Sequence, residues 1–407
     1  MQITTDPPPH PVPHPMSLHI GIECDRGGAG RVISELRTHL PEAGFGFRGI
    51  VANPPSATAV TDGTVSSFAP AKAGLLRRLH GARTSIRAAL DEFKPDIVAS
   101  HFAMYSAPGM DLLKGTLTIS HFHGPWSEES SQEGEGNTAV AAKSYLEGTV
   151  YRRADRVIVL SNAFADLVTT RFGVDPGRVR LVPGSVDTKR FALATPRADS
   201  KAALGLPADR PILVTVRRLV NRMGLASLID AMTQVAAAIP DVLLCIAGQG
   251  PLRASLEAQV ERLGLARNVR FLGFVAEDAL PHLFYSADIN VVPTIALEGF
   301  GLVAAEAMAT GTPSMVTPVG GLPEVVGGLS HSLIFSGTKA TDLAEGLIGA
   351  LTGATELPTR GQCREYIRNN FSSRLMALRT AHVYRELIEQ DSSLLTSLIT
   401  LHKESQL

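Results

Sequence analysis

Ile289-Asn-Val-Val292, then Pro293-Thr-Ile-Ala-Leu-Glu298-Gly-Phe-Gly301, then Leu302-Val-Ala-Ala-Glu306-Ala-Met-Ala309, is the stretch that decides the fold. A short, mostly apolar run leads through a glycine-bearing loop into an apolar segment of helical length, which is the strand–loop–helix unit of a parallel sheet. The same unit recurs along the chain. In the first half the strand-like runs are Leu18–Glu23, Phe47–Ala52, Asp96–Ser100, Leu117–Ser120, Arg156–Leu160 and Val179–Val182, with helical stretches at Gly30–Leu40, Leu75–Phe93, Thr138–Tyr151 and Ala163–Arg171. In the second half they are Ile212–Val216, Val242–Ala247, Val269–Leu272, Ile289–Val292, Ser314–Val316 and Ser332–Phe335, with helices at Gly224–Ala238, Leu252–Leu263, Ala279–Ser286, Leu302–Ala309 and Asp342–Leu351.

This alternation predicts α/β architecture: two Rossmann-like, doubly wound parallel-sheet domains facing a cleft. The apolar pattern breaks between Asp187 and Arg210, where polar residues, Pro196 and Pro207 intervene. The expected division is a leader over 1–15, a first domain over 16–190 and a second over 205–371. A helix over 372–390 packs back towards the first domain, and a frayed polar tail occupies 391–407. The leader is rich in Pro and His and lacks the apolar core of a signal peptide, so disorder is expected there, with Met16 an alternative start.

At 407 residues the chain suits two domains rather than one. A 44% apolar share and a 19% charged share exclude global disorder, and a net charge of −1 gives no reason to expect nucleic acid. Cys24, Cys245 and Cys363 are too far apart for metal-ligand spacing, and a reduced, cytoplasmic setting is the simplest reading. Lys72, Arg77, Arg78, Arg83 and Arg87 occur with no acidic residue between them. That stretch reads either as a solvated basic face or as a local contact with an anionic membrane surface, which would make the protein peripheral at the inner face.

Ligands bind in open parallel sheets beyond the carboxyl ends of the strands. The start of the helix at Leu302 offers unpaired amides and a partial positive charge suited to a pyrophosphate, and Gly299 and Gly301 let the backbone come close. Glu298 lies just before the helix and Glu306 about 8 Å along it, at about 1.5 Å per residue. Each carboxylate can accept hydrogen bonds from hydroxyls, one from a hexose and the other from a ribose. Arg26-Gly-Gly-Ala-Gly-Arg31 is a glycine loop after the first strand, but it is not the Gly-x-Gly-x-x-Gly of nicotinamide binding. Arg217-Arg-Leu-Val-Asn-Arg-Met-Gly224 places guanidinium groups after another strand, where they could neutralise a diphosphate.

With these motifs the sequence resembles, from about Leu18 to Tyr384, the GT-B glycosyltransferases of family 4, or group 1, the family of sucrose synthase and phosphatidylinositol mannosyltransferase. The Glu-x7-Glu pattern of Glu298 and Glu306, Ala-Thr-Gly-Thr-Pro and Gly320-Gly-Leu-Pro-Glu324 carry the resemblance. It implies a retaining, metal-independent transfer of a hexose from a nucleotide sugar, such as a UDP- or GDP-hexose, in polysaccharide, glycolipid or glycoconjugate assembly. No Asp-x-Asp motif occurs.

The resemblance further implies that Glu298 touches the donor sugar and Glu306 the ribose, while the amides of Gly299, Phe300, Gly301 and Leu302 hold the diphosphate. It assigns Arg218 to the diphosphate and His123, in His121-Phe-His123-Gly, to the anomeric centre. It places Gly27 and Gly28 beside the transferred group, Gly248 in a turn opening a helix, and the backbone of Phe274 and Val275 against the nucleobase. Met223 stands where the family has a lysine, and Arg222 beside it carries the charge that could replace it. His121 and His101 are read as structural. The rival readings are a nucleotide-sugar epimerase on the same frame and a non-catalytic nucleotide-sugar-binding protein.

Overall fold

The computed structural model describes residues 14–24, 27–53, 63–70 and 72–404, with side chains described as far as 393. Seven strands form the first sheet: β1 (Met16–Gly21), β2 (Gly46–Val51), β3 (Val65–Ser67), β4 (Ile97–Ser100), β5 (Leu117–Phe122), β6 (Arg156–Val159) and β7 (Val179–Leu181). Five form the second: β8 (Ile212–Val216), β9 (Leu243–Ala247), β10 (Val269–Gly273), β11 (Ile289–Val292) and β12 (Ser314–Val316). The orders are β3-β2-β1-β4-β5-β6-β7 and β10-β9-β8-β11-β12, with every pairing parallel. Strand order therefore reverses between β1 and β4 in one sheet and between β8 and β11 in the other. Loops leaving these strands diverge to opposite faces and open a crevice. All four carry residues singled out above.

Period-two alternation distributes the side chains. In β8 and β9, Ile212, Val214, Leu243, Cys245 and Ala247 enter one apolar cluster, while Leu213, Leu244 and Ile246 enter the other, so both faces of the sheet are covered. In β1, Leu18 and Ile20 join one first-domain cluster. Ser17 and His19, on the opposite face of β1, are fully buried as well.

Several elements differ from the sequence expectation, among them unanticipated helices at Trp126–Gln132, Arg197–Ala203 and Arg360–Asn370. Ser332–Phe335 is not a strand: His331–Leu333 is a 3-10 turn, and only Ile334 bridges to Val316. Its apolar residues serve the core without extending the ladder. β3 was missed because three residues in a polar context carry no readable period. The last helix runs unbroken from Ser373 to Glu404, so residues 392–404 continue it where fraying was expected. The leader, except His14 and Pro15, lies outside the described residues.

That last helix returns to the first domain. Met376, Ala377, Ala381, Val383, Tyr384 and Leu387 share a core cluster with Phe45, Phe47, Ile97 and Ile119. Tyr384 is fully buried, edge-on to Phe45 at 5.5 Å, and its hydroxyl is 3.1 Å from His121 Nε2. The two crossings between domains touch where Val186 N–H donates to the carbonyl of Phe371 at 2.8 Å. Tyr384→Ala is expected to lower stability by about 3–5 kcal/mol, as large aromatic deletions do. Tyr384→Phe should cost only about 1 kcal/mol, for one hydrogen bond. Denaturant titration checks both.

Candidate functional site: a cleft between two switch points

The loop after β11 is held in shape from several sides. Leu297 has φ +54°, a left-handed conformation costly for a residue with a branched side chain. Its carbonyl accepts from Arg222 Nη1 at 3.0 Å, and the next carbonyl, that of Glu298, accepts from Gly321 N–H at 2.9 Å. Gly301, at φ +87°, turns the chain into the helix Leu302–Ala309. A Cβ on Gly299 would lie 2.5 Å from the ring of Phe164, so glycine is required for this loop to meet the first domain. Phe300 is buried and packs on Phe371.

Glu298 is paired with Arg217 Nη2, and Thr294 Oγ1 donates to the same carboxylate at 3.4 Å. Arg217 also reaches Thr294, and its Nε is buried without a partner. The arginine on the Glu298 carboxylate is thus Arg217, which the sequence pattern passed over in favour of Arg218. The side chain of Arg218 is 58% exposed and bonds Glu133 of the first domain at 3.0 Å, away from the Gly-Phe-Gly turn. Arg222 is buried beneath the Glu298 loop and also pairs with Glu129 at 3.2 Å, so it braces the loop and the domain interface. Met223 is a core residue of the second domain.

Glu306 is almost fully buried and ion-paired to Arg31 of the opposite domain. Arg31 also donates to both oxygens of Glu277 at 2.8 Å, and Arg190 bonds Glu277 at 2.6 Å. Burial pushes the Glu306 carboxyl up to about 7, outweighing the opposing pull of Arg31 and Arg190.

His123 lines the cleft together with Gly28, Arg31, Gly184, Ser185 and the segment from Glu298 to Leu302. Gly27, at φ +63°, begins the first helix, and a Cβ on Gly28 would meet nothing within 4 Å, leaving room beside the turn. Arg26 lies outside the described residues. Gly248 N–H donates to the Gly273 carbonyl at 2.7 Å, and a Cβ there would lie 1.8 Å from the Arg217 carbonyl. Its role is to let the β8 and β9 loops pass closely. Phe274 is exposed, and Val275 packs on the second-domain core. The structure thus brings together Gly28, His123, Glu298 and Gly299–Leu302, with Glu306 a helix turn further on. It leaves Arg218 and Gly248 outside that group.

Sequence reasoning missed Arg31, Arg217, Glu129, Glu277 and Arg190. The sequence signalled only that some cation must lie close to Glu306, because a carboxylate inside an apolar helix requires one; it did not say which.

Two family models match the chain, Glyco_transf_4 (Glycosyltransferase Family 4) over 26–190 and Glycos_transf_1 (Glycosyl transferases group 1) over 196–370. The chain belongs to the family 4, group 1 glycosyltransferases, and its fold is GT-B. A 2-deoxystreptamine N-acetyl-D-glucosaminyltransferase of Streptomyces fradiae is 30% identical over 64% of this chain and 64% of its own length. Sucrose-phosphate synthase of Thermosynechococcus elongatus superposes with TM-score 0.76 at 24% identity, covering 92% of this chain and 100% of that one. HepE of Anabaena, in complex with UDP-glucose, superposes with TM-score 0.69 at 20% identity, covering 93% and 100%. The matches span 49% to 64% of the length of the first curated relatives.

The resemblance assigns Glu306 to a ribose diol, which an ionised carboxylate accepts from best, and the folded value of Glu306 is raised from 4.5 to about 7. Nucleotide-sugar affinity is therefore expected to be fullest above about pH 7 and to fall as pH drops through that value. In Glu306→Gln the dependence between pH 6 and 8 should flatten, as read by calorimetry.

Proposed function

We propose that this chain transfers a hexose from a nucleoside diphosphate sugar, with UDP- and GDP-hexoses the first candidates, to an acceptor hydroxyl with retention at the anomeric carbon. The observation that carries this reading is the pair Glu298 and Glu306 flanking a helix start, with His123 on the facing wall. Helix amides bind the diphosphate, Glu298 the hexose and Glu306 the ribose. The bond from the anomeric carbon to the diphosphate oxygen breaks. The acceptor oxygen bonds to the same face of that carbon, and its proton passes to the departing phosphate oxygen. Arg217 and Arg222 supply positive charge near that oxygen, joined by Arg218 once it exchanges Glu133 for the phosphate, and the scheme needs no metal. A glycosidase-like covalent intermediate would need a carboxylate pair about 5 Å apart astride the sugar. Glu306, tied to Arg31 deep in its helix, is not available for that role.

The acceptor is proposed to belong to polysaccharide, glycolipid or glycoconjugate assembly in the cytoplasm. The helix Leu75–Phe93 begins with exposed Leu75 and Leu76 beside its arginines, which suits contact with an anionic membrane surface. Among the described residues no helix is long and apolar enough to cross a membrane.

Incubation with a panel of UDP-, GDP- and ADP-sugars should show slow hydrolysis of one donor. Glu298→Ala should cut that turnover about a hundredfold or more, the scale set by losing a preorganised contact to the reacting sugar. Donor binding without turnover would instead support a binding protein, and interconversion of two nucleotide sugars an epimerase.

A further inference from the structure

Behind His123 the first domain buries a row of histidines that the transfer scheme does not use. His19 lies on β1, His101 follows β4 and His121 lies on β5, and all three are buried. His19 and His101 have ring centroids 5.2 Å apart, and His101 and His123 likewise 5.2 Å, with interplanar angles of 29° and 15°. One continuous line of hydrogen bonds runs through His19 and His101 to His123. Ser17 Oγ lies 2.8 Å from the carbonyl of Gly46, and His19 Nε2 lies 3.1 Å from Ser17 Oγ. His19 Nδ1 is 3.0 Å from His101 Nε2, and His101 Nδ1 is 2.9 Å from His123 Nε2. The last nitrogen, His123 Nδ1, is buried and has no protein partner. His121 stands outside this line: it stacks on His101 at 4.2 Å and bonds the Tyr384 hydroxyl.

The line has a direction. A carbonyl oxygen only accepts, so the Ser17 hydroxyl proton goes to Gly46. Ser17 Oγ must then accept from His19, which places the His19 proton on Nε2. Burial holds His19 at about 3 and His123 at about 4, with His101 well below its ordinary value, so each ring is neutral and carries one proton. His19 Nδ1 is then a bare acceptor and His101 donates to it from Nε2. His101 Nδ1 accepts in turn from His123 Nε2–H. The opposite polarity would leave the Gly46 carbonyl without the serine proton and would point an N–H of His123 at no acceptor in the protein.

We infer that Ser17, His19 and His101 are positioning residues that lock His123 in its Nε2–H tautomer, so that its Nδ1 lone pair is the acceptor for a sugar hydroxyl in the cleft. Each donation leaves electron density on the donating ring and makes its other nitrogen a better acceptor, so the row strengthens the terminal acceptor on His123. Specificity follows: the site favours a sugar whose hydroxyl reaches Nδ1 and disfavours the deoxy analogue, which leaves a buried acceptor unpaired. The tautomer assignment stands on protein contacts alone. Its use rests on the transferase reading.

Nitrogen-15 NMR of the full-length protein labelled at histidine tests the tautomer without any substrate. His123, assigned by loss of its signals in His123→Asn, should show a protonated Nε2 and an unprotonated Nδ1. Ser17→Ala should move both nitrogens towards averaged values. A protonated Nδ1, or a Ser17→Ala spectrum with His123 unmoved, overturns the relay. With the donor found by the panel above, His101→Phe should lower kcat by about tenfold, the scale of one lost hydrogen bond. His101→Asn, whose side-chain carbonyl can replace the accepting Nδ1, should recover most of it. Equal losses in the two variants would mean that His101 only packs, and would overturn its positioning role. If no donor turns over at all while the NMR result holds, the transferase reading fails and the tautomer assignment remains.

Discussion

Glu306 is a carboxylate inside a helix whose other residues are almost all apolar, and the rest of the cleft is organised around that burial. Taking an ionised carboxylate out of water costs several kcal/mol unless a cation and hydrogen bonds compensate. The second domain supplies no cation on the helix itself. Compensation comes from Arg31, on the first helix of the other domain, and from Arg190 nearby; Glu277 holds both arginines but, as a like charge, opposes ionisation of Glu306. One buried charge therefore makes the two domains electrostatically dependent on each other, at the point where they must face one another. The raised value of Glu306 shows that Arg31 compensates only in part. That leaves a carboxyl whose charge responds to what approaches it.

The glycine-bearing turn before this helix depends on the same closeness. Phe164 of the first domain occupies the space a side chain at 299 would need, and Gly184 is pressed against Phe300. Arg222 joins the strained Leu297 carbonyl to Glu129 of the first domain. The Glu298 loop is thus fixed by contacts from both sides of the cleft. Its geometry depends on how the domains are closed as well as on the second domain's own fold.

Much of this was legible in the sequence because parallel sheets announce themselves. Buried strands read as apolar runs, and their helices as longer amphipathic ones. The helices Leu75–Phe93 and Leu302–Ala309 begin and end where the pattern places them. What escaped was of two kinds. Very short elements such as β3 carry too few residues for a period, and the apolar Ser332–Phe335 served the core without joining the sheet as a strand. Partners across the cleft, such as Arg31 with Glu306 or Arg222 with Glu129, are far apart in sequence, and one sequence contains no signal for which distant charge meets which. Arg217 and Arg218 show the sharpest form of the problem. Adjacent residues at a strand end point to opposite sides, so a one-residue difference decides which guanidinium meets Glu298.

The charge arrangement around Glu298 has a consequence for how a diphosphate could be held. Arg217, Arg218 and Arg222 follow β8 and face carboxylates rather than solvent alone: Glu298, Glu133 and Glu129 respectively. Two of those carboxylates sit on the first domain, one on the helix after the His123 turn and the other just beyond it. On the transferase reading proposed above, a diphosphate at the helix start would carry the charge these carboxylates now provide and would compete with Glu129 and Glu133 for the same guanidinium groups. The most exposed of the three pairs, Arg218 with Glu133, is the least costly to exchange, because water and salt already weaken it. Arg222 is buried and tied to the Leu297 carbonyl, so it contributes field without moving. Where the resemblance implies a lysine, at 223, the chain has a core methionine beside a buried arginine. Met223 fills the core, Arg222 fixes the loop, and Arg218, in the most exposed of the three pairs, is the guanidinium most open to exchange.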